Sequence, residues 1–122
     1  MGMLNVQVKL ANPAAPARSK EVSLLVDTRA TLSWIPRNVV ERLGAEAVSR
    51  LPFTRADGQT LARETTPVLL TLDGRKAALP VAFGEPGEQA VLGLTALESL
   101  GFIVDPGAKK LVPHNLLALR DR

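Results

Sequence analysis

Few side chains in this sequence can act on another molecule, and the most conspicuous is a carboxylate that closes an apolar run. Val22-Ser23-Leu24-Leu25-Val26 leads directly into Asp27-Thr28-Arg29-Ala30-Thr31. A charge at the end of a buried strand is costly unless it is paired, hydrogen-bonded or put to use. Asp57, Asp73 and Asp105 have a simpler explanation, because each precedes Gly or Pro, where a turn aspartate accepts backbone hydrogen bonds. Asp27 is different. Thr28 and Thr31 offer hydroxyls that hold a carboxylate loop, and Ala30 is small enough for close chain packing. The residues alone leave two readings of Asp27 open, a turn acceptor and a functional carboxylate.

Other chemistries lack their partners. There is no cysteine, which removes disulfides, thiolate catalysis and thiolate metal sites. His114 is the only histidine, so no His pair exists for a metal. Ser23, Ser33, Ser49 and Ser99 have no His–Asp relay unless His114 lies beside one of them. No glycine-rich phosphate loop with its lysine occurs. Glu85 and Glu88, in a Gly/Pro loop, read as solvated charge.

The elements that position Asp27 are short and turn-bounded. Leu4 to Leu10 alternates, with Leu4, Val6, Val8 and Leu10 on one face, which predicts a half-buried strand. The prolines of Asn12 to Ala17 predict a break. Glu21 to Val26 predicts a strand buried on both faces. Thr31 to Ile35 reads as extended, and Pro36 opens a short helix that Gly44 can end. Trp34 reads as core in preference to a cleft wall. Asp57-Gly58 and Asp73-Gly74 each centre a predicted hairpin, the second flanked by Pro67 to Leu72 and Lys76 to Phe83. Ala90 to Leu92 is a short buried strand. Thr95-Ala96-Leu97-Glu98 fits a capping box for a two-turn helix ending at Gly101. Phe102 to Val104 and Lys110 to Val112 form a last hairpin. The tail Leu116-Leu117-Ala118-Leu119 is too apolar to stand free, which predicts that it packs on this domain or on a partner. Many short strands, tight turns and one late helix indicate an all-β class, a small closed antiparallel barrel.

Size and composition set further bounds. The 122 residues fit one domain, 1–122, with a single core. An apolar content of 46% against 22% charged excludes a disordered chain. Apolar runs are too short to span a bilayer and the start lacks a signal-peptide pattern, so the expectation is no membrane and a cytoplasmic location. The net charge of +3 comes from scattered arginines, and only Trp34, Phe53, Phe83 and Phe102 are aromatic. That pattern argues against a nucleic-acid partner and reads the arginines as solvated surface.

Leu24-Leu25-Val26-Asp27-Thr28-Arg29-Ala30-Thr31 resembles the hydrophobic-hydrophobic-Asp-Thr-Gly-Ala-Ser/Thr signature of retropepsin-like aspartic proteases. Val91-Leu92-Gly93 before a helix is similar to the second family signature, and Ile35-Pro36 is like the Ile-Pro of single-domain bacterial members. Order and spacing agree over roughly residues 4 to 113. The resemblance implies a retropepsin-type β-barrel that hydrolyses peptide bonds without cofactor or metal. It also implies a homodimer, since one chain has one Asp-Thr loop and the chemistry uses two aspartates. Carried over by position, Asp27 is the catalytic carboxylate, Thr28 donates across the dimer axis, and Ala30 and Gly93 support the loop. Ala56, Asp57, Gly58 and Gln59 tip the flap that closes over a polypeptide.

Arg29 stands where that family has glycine. Glycine there brings no Cβ against the substrate, whereas arginine adds bulk and a permanent charge that favours ionised carboxylates. The expectation is that Arg29 pairs with Asp27 or projects into the cleft, with activity poor or absent. Three readings follow: an Arg29 that points outward and leaves a working peptidase favouring acidic substrate side chains, a pseudo-protease that binds peptide or acts as a dimerisation module, or a deliberate or accidental substitution.

Overall fold

The computed structural model describes residues 3–118. It is mostly β. In chain order the elements are β1 (Asn5–Asn12), β2 (Ala15–Val26), β3 (Ser33–Pro36), α1 (Arg37–Arg42), β4 (Ser49–Thr54), β5 (Thr60–Leu72), β6 (Arg75–Gly84), β7 (Val91–Leu92), α2 (Leu94–Leu100), β8 (Phe102–Asp105) and β9 (Lys110–Pro113). The first seven strands form one sheet in the order β1-β2-β7-β3-β6-β5-β4, and pairing of β1 with β5 makes it ring-like, with β4 outside on the edge of β5. Strands β8 and β9 pair separately.

Alternation decides which side chains fill the ring. Val8 and Leu10 of β1 and Leu24 of β2 point inward to meet Ile35, Val68, Leu70, Val81, Phe83 and Leu92. Helix α2 covers this core with Ala96, Leu97 and Leu100, and Phe102 continues it into the last hairpin. The Asp73-Gly74 turn has φ of 49° and 81°, the paired positive values of a tight hairpin, and it joins β5 to β6 in continuous register.

Several expectations are corrected. The sheet is mixed, because β2 runs parallel to β7 and β3 parallel to β6. Long excursions separate both pairs, and long crossovers are what parallel pairing requires. The prolines do not break the chain over Asn12 to Ala17: the turn is confined to Pro13 and Ala14, and β2 already contains Pro16. The register jumps from Ala11 opposite Ser19 to Asn12 opposite Ala15, so Pro16 sits in a bulge where its missing N–H breaks no ladder bond. In β2 only Leu24 is fully buried, since Val22, Leu25 and Val26 keep one side partly open. The capping box does not form. Helix α2 begins two residues earlier, with Gly93 as its cap and no side-chain capping bond, because backbone from elsewhere takes its first donors, as described below.

The apolar tail does not pack on this domain: Leu116 is 65% and Leu117 98% exposed. Leu119 lies outside the described residues. Among the described residues no helix is long and apolar enough to cross a membrane. Most of the described arginines are exposed, as expected, but some also make specific contacts. Arg75 Nη1 donates to the carbonyls of Leu100 and Gly101, both at 2.9 Å, and its guanidinium lies 5.0 Å from the Phe102 ring centre. It therefore closes the C-terminal end of α2, where carbonyls lack helical partners. Arg75→Ala is expected to lower unfolding free energy by about 1–2 kcal/mol in urea titrations, with Arg75→Lys recovering part of the loss.

Candidate functional site

Asp27 follows β2 on a loop that the backbone fixes from both ends. Asp27 N donates to Leu92 O at 3.0 Å, continuing the parallel β2–β7 ladder by one bond, and Ala30 N turns back to Asp27 O at 3.2 Å. On the far side, Leu94 N donates to Ala30 O at 2.8 Å and Thr95 N to Thr31 O at 2.9 Å. Two N–H groups that begin α2 and have no helical partner are thus spent on the loop. Thr95 is thus the second residue of the helix and not its cap.

Gly93 makes this approach possible. A Cβ at this position would lie 2.5 Å from Leu32 C and O and 2.9 Å from Ala30 O, all backbone atoms that cannot swing away. Its N–H donates to Ser33 Oγ at 2.9 Å in a buried setting. Ser33 was the residue that sequence reasoning missed, having been considered only as a nucleophile without a relay. Its signal was its placement: a small polar residue opening a strand two positions before Ile35, on the same buried face.

The loop lies on the floor of a cleft of about 760 Å³. Trp34, Leu51, Pro52 and Phe53 give it apolar walls, and Thr54, Arg55 and Ala56 come from the Asp57-Gly58 hairpin. Of the four expected flap residues, Ala56 reaches the cleft. Asp57, Gly58 and Gln59 form the exposed turn beyond it, where Gly58 has φ 89° and Asp57 Oδ1 accepts from Gln59 N at 2.9 Å. Trp34 is a wall residue and not core, because Ser33 and Ile35 take the inward face of β3. Its ring meets Phe53 edge-on at 5.1 Å. Arg63, with its guanidinium 5.8 Å from the Trp34 ring centre, is itself held by Glu88.

Glu85 and Glu88 are not free solvated charge, which corrects the sequence reading. Glu88 pairs with Arg63 and accepts Glu85 N–H at 2.7 Å. Burial pushes the Glu88 carboxyl up, but Arg63 and the Glu85 N–H outweigh it and leave it below its ordinary value. Arg37 binds Glu85 at 2.8 Å and Glu64 at 2.6 Å, which joins the start of α1 to β5 and the 84–88 loop behind the cleft. The Arg37 hydrogen bonds lower Glu85 in turn.

Arg29 folds back onto Asp27. Its Nε and backbone N each lie 3.0 Å from Oδ1, and its Nη2 lies 3.2 Å from Oδ2, so both carboxylate oxygens are engaged. Those side-chain hydrogen bonds are the main reason that the Asp27 carboxyl is held below its ordinary value. Partial burial opposes them, and the Arg29 backbone N–H and charge reinforce them. The pair is open to water, with the Arg29 side chain 89% exposed and that of Asp27 22% exposed. Thr28 is exposed, and its hydroxyl makes no hydrogen bond among the described residues. No group of three or more His, Asp or Glu side chains that could hold a metal occurs among the described residues.

Neither the known family models nor the curated proteins include a match to this chain.

Two substitutions test the clamp. Ser33→Ala leaves the buried Gly93 N–H unpaired and is expected to cost about 1–3 kcal/mol in denaturant unfolding. Gly93→Ala forces backbone apart and is expected to cost about 1–3 kcal/mol or more.

Proposed function

We propose that the chain is one half of a homodimeric aspartic endopeptidase of the retropepsin-like type. The observation that carries this reading is a single one: Asp27 sits at the floor of an apolar-walled cleft, beneath a glycine-tipped hairpin, on a loop clamped by Gly93 and α2. The two sequence signatures, far apart in the chain, meet at that clamp.

In this reading two Asp27 carboxylates, one per subunit, share one proton because like charges about 3 Å apart do not both ionise. The ionised member accepts a proton from a water, whose oxygen attacks the scissile carbonyl. The protonated member donates to the developing oxyanion. Thr28, with a free hydroxyl, suits the role of donor across the two-fold axis. Two carboxylates and a water suffice, so the reading calls for no cofactor or metal.

The Arg29 fork favours a second reading, a catalytically silent dimeric peptide-binding module. With both Asp27 oxygens engaged by a cation, each carboxylate is biased toward ionisation and against sharing a proton. The sign of the pH effect follows. Activity needs one proton in the dyad, that proton leaves as pH rises, and Arg29 makes it leave earlier. The falling alkaline limb of the pH–rate profile is therefore expected at lower pH in the native chain than in Arg29→Gly.

Peptide cleavage followed across pH separates the readings. Expected are slow cleavage by the native chain at acidic pH, faster cleavage by Arg29→Gly over a wider range, and a loss of about 100-fold or more in Asp27→Ala. Cleavage by Arg29→Gly alone identifies a silent module. Cleavage by Asp27→Ala at the native rate removes the peptidase reading.

A further inference from the structure

The charges that line the cleft do not cancel. Just outside the lining, Arg63 is paired with Glu88, and Arg37 is shared by Glu64 and Glu85. Two cations remain against one anion: Arg29 on the floor, Arg55 from the hairpin, and Asp27. Arg55 makes no ion pair among the described residues, although it lines the same cleft. Arg29 spends Nε and Nη2 on Asp27 while its other terminal nitrogen makes no hydrogen bond among the described residues. A pair this exposed is screened and weakly held, so another carboxylate can displace Asp27 from it at little cost. An arginine fork accepts a second planar carboxylate with the same geometry.

We propose that the cleft takes polypeptides bearing a carboxylate side chain beside apolar residues, and that Arg29 exchanges Asp27 for this carboxylate while Arg55 meets it from the hairpin side. The proposal rests on the cleft being a peptide site and holds whether or not the peptide is cut. The apolar part of such a ligand lies against Trp34, Leu51 and Phe53. Nucleic acid is the poorer occupant: the lining carries a surplus of one positive charge, offset by one negative charge in the Arg37–Glu64–Glu85 group outside it, and the two aromatic side chains of the lining meet edge-on, not as a platform for stacked bases. Exchange also frees Asp27 from its cation at the moment a ligand enters, so an acidic peptide restores the carboxylate that Arg29 otherwise occupies.

Trp34 is the only tryptophan and lines the cleft, so intrinsic fluorescence of the full chain reads occupancy directly. The probes are the N-acetylated, C-amidated hexapeptide Ala-Val-Glu-Phe-Leu-Ala and its Gln counterpart, each confirmed intact by mass after titration. The Glu peptide is expected to bind at least about tenfold more tightly than the Gln peptide, the scale of a charge-assisted hydrogen bond. Arg29→Gln and Arg55→Gln each shrink that ratio, and together bring it close to one. Asp27→Asn removes the internal competitor and tightens Glu-peptide binding, a gain that is lost in the Asp27→Asn, Arg29→Gln double variant. All five variants change exposed or partly exposed side chains, and circular dichroism checks that each is folded. Equal binding of the two peptides overturns the acidic preference while leaving the peptide site standing. A preference that survives loss of both arginines places carboxylate recognition elsewhere and overturns this assignment. No response to either peptide removes the peptide site and the proposal together, as does tighter binding of a single-stranded oligonucleotide at Trp34.

Discussion

Much of the site's geometry hangs on the absence of one side chain. At Gly93 the backbone of β7 turning into α2 lies against the carbonyls of Ala30 and Leu32, closer than any Cβ permits. Only at that distance do Leu94 and Thr95 reach the loop with their N–H groups, and only then does Asp27 N extend the β2–β7 ladder. The helix gains acceptors for donors it cannot satisfy itself, and the loop gains a rigid floor. Each element solves the other's unsatisfied backbone. The Ser33 hydroxyl completes the arrangement by taking the buried Gly93 N–H.

From this clamp outward, the ring-like sheet acts as a frame. β3 places Ser33 and Ile35 inward and so turns Trp34 to the cleft. β4 and β5 carry the hairpin above it. The Arg37–Glu85–Glu64 and Arg63–Glu88 pairs tie α1, β5 and the 84–88 loop behind the wall. Partly buried and multiply bonded, these pairs are better placed to fix geometry than to add stability, since the desolvation of ion pairs offsets much of their attraction. By contrast the Arg29–Asp27 pair faces solvent, which suits a contact that is made and broken.

Local chemistry was legible in the sequence where one residue's preference decides the outcome. The Asp57-Gly58 and Asp73-Gly74 turns, the Gly101 helix end and the inward face of β1 all follow from positive φ angles or strict alternation. What was not legible depends on partners distant in the chain. Pro16 is tolerated because the register slips opposite Asn12, which no local pattern announces. The capping box at Thr95 failed because the helix already starts at Leu94, and Thr95 N, one of the two donors the box would serve, is taken by Thr31 O from across the fold. Glu85 and Glu88 looked solvated because their arginines lie 25 or more residues away. Of the candidate site, Asp27, Gly93 and the hairpin were visible as residues, and Trp34 would have been placed correctly by extending the alternation of Ser33 and Ile35 to it. The pairing of Arg29 with Asp27 was foreseen as one possibility from their opposite charge, but not the engagement of both carboxylate oxygens.

The proposed function turns on symmetry: if a single Asp27 is half of a site, the loops of two subunits must face each other across an axis at Thr28. Because the chain contains no cysteine, Thr28→Cys introduces a unique thiol at that point. Mild oxidation of dilute Thr28→Cys, followed on a non-reducing gel, measures whether two such loops come within disulfide range, with Cα atoms about 7 Å apart or less. The account predicts rapid conversion to a covalent dimer, much faster than for Ala108→Cys on the exposed β8–β9 turn. Cross-linking of Thr28→Cys no faster than of Ala108→Cys would contradict it.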